Sequence, residues 1–141
     1  MFELKVVRER KPGYGPLPAF RGSADIWAAF KDHFEAADRE QFILLLLNNK
    51  HRPVAFHVVS VGSLTASLVH PREVLKAIVL SNAAAVVAMH NHPSGDATPS
   101  KEDLEITRRL KELTELLGVR LLDHIIFGDD KCVSFVDAGF W

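Results

Sequence analysis

The chain has 141 residues, a length at which one domain buries an adequate core without disulfides. Its 17 basic residues against 18 acidic ones give a formal net charge of -1, which argues against a strong nucleic-acid binder. Hydrophobic residues at 48% and charged residues at 25% exclude a disordered or fibrous chain, and the single cysteine, Cys132, excludes an internal disulfide.

Residues 2–8 alternate loosely, as an edge strand does, and run into an arm marked by Pro12, Gly13, Gly15, Pro16 and Pro18. Residues 1–18 therefore read as strand and arm, and 19–141 as the folded domain. The start lacks the basic-then-apolar pattern of a secretory signal and no apolar run is long enough for a bilayer, so the cytoplasm is the expected location and no membrane association is expected.

Ser23 is placed to cap a helix in which Ile26, Trp27, Phe30 and Phe34 recur at helical spacing. Glu40 then stands at the head of Gln41-Phe42-Ile43-Leu44-Leu45-Leu46-Leu47, the short apolar run of a strand buried on both faces. A polar turn from Asn48 to Arg52 joins it to a second strand, Pro53 to Val61, as a hairpin. Pro71 opens a helix with an apolar stripe of Val74, Leu75, Ile78 and Val79, closed by Ser81-Asn82.

Ala83 to Met89 reads as a core strand that runs straight into His90-Asn91-His92-Pro93-Ser94-Gly95-Asp96. Ser100 caps a long helix through Leu117, Gly118 stops it, and strands follow near residues 119–127 and 131–136. The order predicts an α/β fold, a single mixed β-sheet flanked by helices in a sandwich.

Histidines two apart on an extended segment point to the same side, so His90 and His92 can reach one ion. Asp103 sits in the first turn of the following helix. Two nitrogens and one oxygen leave a fourth tetrahedral position open, the arrangement of catalytic rather than structural zinc. Ser100 and Asp103 also suit a plain helix start, and for Ser100 alone capping is the stronger reading. A capping hydroxyl still has a proton to donate to a ligand.

The string from His90 to Asp96, then Pro99-Ser100 and Asp103, resembles the JAMM signature of the MPN/JAB metallopeptidases in its RadC-like form. Gly62-Ser63-Leu64, His70-Pro71-Arg72-Glu73, Asn82-Ala83 and Leu122-Asp123-His124 extend the likeness over about residues 40–134. The resemblance implies a cytidine-deaminase-like sandwich, one Zn²⁺ per chain held by His90, His92 and Asp103, Ser100 stabilising the oxyanion, and a glutamate at the head of the first core strand as general acid/base. By position that glutamate is Glu40. Ile43 replaces the glycine of the eukaryotic pattern, whereas Phe42 is compatible with the RadC-like form. Nothing here resembles the helix-hairpin-helix segment of longer family members, which weakens any link to DNA.

The expected activity is hydrolysis of a peptide or isopeptide bond, with a peptide or protein as substrate. The rival is a zinc-containing module that binds protein or nucleic acid without turnover. A zinc nucleobase deaminase needs a P-C-x-x-C segment, and one cysteine cannot supply it. Cys132 reads as a buried structural thiol, and Arg72-Glu73 as an ion pair at a helix start. Asp123 and His124 fit equally a buried pair or an outer partner of a ligand histidine. Phe140 and Trp141 suit the core or a second copy, leaving a homodimer open.

Overall fold

The computed structural model describes residues 1–5, 7–62 and 69–141, so Ser63 and Leu64 of the family likeness lie outside the described residues. Its elements in chain order are α1 (Ser23–Glu35), β1 (Gln41–Leu47), β2 (Pro53–Val61), α2 (Pro71–Ser81), β3 (Ala85–Asn91), α3 (Lys101–Leu116), β4 (Arg120–Phe127) and β5 (Cys132–Ser134). The strands form one sheet in the order β2-β1-β3-β4-β5. Only β3 and β4 run parallel, joined through α3, and the other neighbours are antiparallel. The fold is therefore α/β on a single mixed sheet.

Strand alternation divides the apolar residues between two cores. Phe42, Leu44 and Leu46 of β1, with Val86 and Ala88 of β3, pack under Val74 and Ile78 of α2 and Ile106 and Leu110 of α3. Ile43, Leu45 and Leu47, with Val87 and Met89, face Ile26, Phe30 and Phe34 of α1 on the other side. Because helices cover both faces, β1 and β3 need apolar residues at every position, which is why each reads as an unbroken run.

Several expectations need correction. Ser23 does not cap α1: Gly22 occupies the cap position without a side-chain bond, and the Ser23 hydroxyl donates to Asp137 at 2.7 Å. In α2 the buried stripe narrows to Val74 and Ile78, with Val79 64% exposed. β3 starts later than expected and extends to Asn91, placing His90 within the sheet. Among the described residues of 2–8 there is no strand, and Phe2, Leu4 and Val7 are exposed. Farther along the arm, Tyr14 and Leu17 pack against the α1 core.

Glu73 pairs with Lys76 at 2.6 Å rather than with Arg72, and this contact holds its carboxyl below the usual range. Cys132 is half-buried against the α1 core, which pushes its thiol pKa up. At the other terminus, Lys111 lies 4.2 Å over the Trp141 ring. Among the described residues no helix is long and apolar enough to cross a membrane.

Candidate metal centre

The carboxyl end of β3 and the start of antiparallel β1 lie side by side, because Phe42 pairs with His90. Glu40, two residues before Phe42, shares its face by alternation and comes alongside His92. That face is the one covered by α3, whose first turn delivers Asp103. The local sequence builds the delivery: Ser100 Oγ accepts from the Asp103 N–H at 3.1 Å, and Asp103 Oδ2 accepts from the Ser100 N–H at 2.7 Å. This reciprocal capping box fixes the carboxylate at the helix start.

The imidazoles of His90 and His92 meet through Nε2 atoms 3.0 Å apart. Asp103 closes the triangle, with Oδ1 3.0 Å from His90 Nε2 and Oδ2 3.1 Å from His92 Nε2. Glu40, His90 and His92 form a group whose ligand atoms lie within 4.8 Å of one another, a possible metal site. His90 and Asp103 are buried, while Glu40 and His92 are partly open. Sequence spacing brought the two histidines and Asp103 together. The structure adds that Glu40 lies close enough to both histidines to share a possible metal site.

The proton inventory shows why this set fits a cation. His92 Nδ1 lies 2.7 Å from the Asp96 carbonyl, which can only accept, so Nδ1 carries the proton and neutral His92 turns a lone pair inward at Nε2. Burial works against charge on Asp103, yet its contacts with His90 and His92 and the hydrogen bond from the Ser100 N–H hold its carboxyl far below the usual range. A carboxylate facing two imidazole lone pairs needs a positive charge in its midst. Without a metal, a proton supplies it: the hydrogen bond to Asp103 raises the His92 pKa, opposed by burial and aided by the Asp96 carbonyl. A divalent ion would replace that proton on an all-nitrogen-and-oxygen donor set suited to zinc.

Two further contacts set the frame. The Asn91 side chain, 5% exposed, accepts from the Gln41 N–H at 2.7 Å and donates to the Arg39 carbonyl at 3.1 Å, gripping the backbone on both sides of Glu40. The loop after β3 is locked to the β4–β5 turn, where Asp129 N–H donates to the Gly95 carbonyl at 3.1 Å. A Cβ at Gly95, whose φ is +85°, would run into the Asp129 carboxylate, and one at Gly128 into the Gly95 carbonyl.

Sequence reasoning missed Asn91 and Thr107. Asn91 had a usable signal, a polar residue pointing away from the two histidines into a covered face. Thr107 had one in its place four residues after Asp103 on the same side of α3. His124 touches His90, with Nε2 2.8 Å from Nδ1, whereas Asp123 takes another role. Its carboxyl, raised by burial, accepts from Ser134 Oγ and from the N–H groups of His124 and Val136, tying β5 to β4.

The model of the family described as RadC-like JAB domain matches residues 20–140. A "UPF0758 protein" of Syntrophotalea carbinolica is 50% identical over 142 residues, covering 97% of this chain and 63% of that protein. One of Geotalea uraniireducens is 47% identical over 96% of this chain and 62% of its own length. One of Methanosarcina acetivorans is 47% identical over 82% of this chain and 51% of its own. The chain thus spans at most about two thirds of these relatives.

Proposed function

From the premise that this chain belongs to the RadC-like JAB domain family, we propose that it is a zinc-dependent hydrolase acting on a peptide or isopeptide bond. The observation that carries this reading is the convergence of two imidazole Nε2 atoms and the Asp103 carboxylate, with Glu40 on the same face. His90, His92 and Asp103 would hold one Zn²⁺ per chain. When bound, the ion supplies Lewis acidity and lowers the pKa of water it contacts to about 7.

Glu40, at the partly open edge of the cluster, takes the proton of the attacking water and returns it to the leaving amine. Ser100 Oγ already accepts from the Asp103 N–H, so its own proton is free to point outward. Donated to the carbonyl oxygen, it stabilises the charge that builds there in the transition state. Asn91 fixes the backbone on either side of Glu40, so the base meets the water without first being ordered. Nucleic acid takes no part beyond weak, salt-sensitive contact.

Glu40→Gln tests the reading. The variant should fold and keep about one zinc per chain while turnover on peptide and isopeptide libraries falls by ~10²–10⁴. Loss of zinc would make Glu40 a ligand. Full zinc with no turnover even in the wild type would favour the module that binds without cleaving.

A further inference from the structure

Behind His90 runs a buried chain of hydrogen bonds that the reaction itself does not use. Thr107 Oγ1 lies 2.7 Å from the Asp103 backbone carbonyl and 2.6 Å from His124 Nδ1. His124 Nε2 in turn lies 2.8 Å from His90 Nδ1. Thr107 is 4% exposed and both histidines 0%, so no solvent proton interrupts the sequence.

Each proton in this chain is fixed from one end. A carbonyl only accepts, so the Thr107 hydroxyl must donate to Asp103. Its oxygen is then an acceptor for His124, whose Nδ1 must carry the proton. The ring is wholly buried, and its two nitrogens meet a hydroxyl and another imidazole rather than a carboxylate, so it stays neutral. Its Nε2 therefore has a lone pair, which accepts from His90 Nδ1–H. That leaves the His90 lone pair on Nε2, the atom 3.0 Å from Asp103 Oδ1 and 3.0 Å from His92 Nε2. The opposite polarity would place a hydrogen on Nε2, where a metal must bind.

We infer that Thr107 and His124 are positioning residues that set the His90 tautomer and so prepare its Nε2 for the metal. This rests on the reading of His90 as a ligand. α3 then serves the centre twice: Asp103 supplies the carboxylate, and its carbonyl, through Thr107 one turn later, orients the imidazole opposite. Metal-binding histidines need an outer partner at their second nitrogen, and here it is another neutral histidine rather than the usual carboxylate or carbonyl.

Thr107→Val keeps the shape and removes the hydroxyl. An unbonded buried N–H costs more than an unbonded lone pair, so His124 should change tautomer and turn the His90 lone pair away from the centre. The expected result is a 10–100-fold weaker affinity for Zn²⁺ or Co²⁺ by chelator competition. Thr107→Ser, which restores the hydroxyl, should bind as the wild type does. ¹⁵N spectra of the metal-free wild type should show His90 and His124 both protonated on Nδ1. Unaltered affinity in Thr107→Val, or a wild-type His90 protonated on Nε2, would overturn the inference. A wild type that binds neither ion would instead overturn the metal reading, with the nitrogen spectra still deciding the tautomer.

Discussion

The parallel strands β3 and β4 end in two unlike places. At their amino ends, the β1–β2 turn and the last turns of α2 and α3 surround an open cavity of about 490 Å³ lined by Asn49, His51, Asn82, Leu117 and Arg120. Arg120 reaches across it to donate to His51 Nε2 at 3.1 Å, an exposed contact. At their carboxyl ends, His90, His92, Asp103, Thr107 and His124 are joined by hydrogen bonds, and all but the partly open His92 are buried. The roomier end holds polar groups that solvent can satisfy. The tighter end gathers a carboxylate and imidazoles into a possible metal site, and it is this composition, rather than volume, that marks the candidate site.

Removing one of the proposed ligands should break that contrast most severely. His92→Ala should weaken zinc binding by more than the ~100-fold that losing an outer partner costs, as measured by metal content after dialysis against a competing chelator. Unchanged occupancy would move the site elsewhere.

Asn91→Leu comes next. It strands the Arg39 carbonyl and the Gln41 N–H and should lower stability by about 1–3 kcal/mol. Turnover should fall while zinc affinity stays near wild type, because Glu40 is set adrift and the ligands are not. An unaltered melting curve would show that the grip on this backbone is dispensable.

The pH dependence is smaller and has a definite sign. The His92 pKa is raised above its ordinary 6.5 in the metal-free protein. Its contribution to stability is therefore present in full below 6.5 and disappears as pH rises through the raised value. Metal must displace the same proton, so affinity should climb across that window and level off above it, with proton release detectable in weakly buffered solution. An affinity that is flat from 6.5 upward would mean that His92 does not carry the displaced proton.

Arg120→Ala, at the opposite end, sets the floor. It should change stability by no more than about 0.5 kcal/mol and leave zinc affinity untouched. A large effect on either would mean that the cavity and the centre are coupled.

Much of this was legible in the sequence. The apolar runs of β1 and β3 announced a sheet covered on both sides, and the spacing of His90, His92 and Asp103 anticipated their convergence. The unread part lay across strands. Asn91 bonds to the backbone of β1, and His124 meets both β3 and α3, so their partners depend on a register that no single segment encodes. Ser23 misled for a related reason: a serine at a helix start favours capping, but here a partner 114 residues away claimed the hydroxyl.

The close approach of Gly95, Gly128 and Asp129 bears on timing. A loop bolted to its neighbouring turn is a wall rather than a door, so nothing in this stretch needs to swing aside before an ion arrives. Capture should then proceed at the pace of diffusion and side-chain rotation, without the slower step that lid opening imposes on many enzymes. Stopped-flow traces of Co²⁺ uptake should be single exponentials whose rate rises in proportion to ion concentration. Gly95→Ala, by forcing the wall off its footing, should introduce a second, concentration-independent phase.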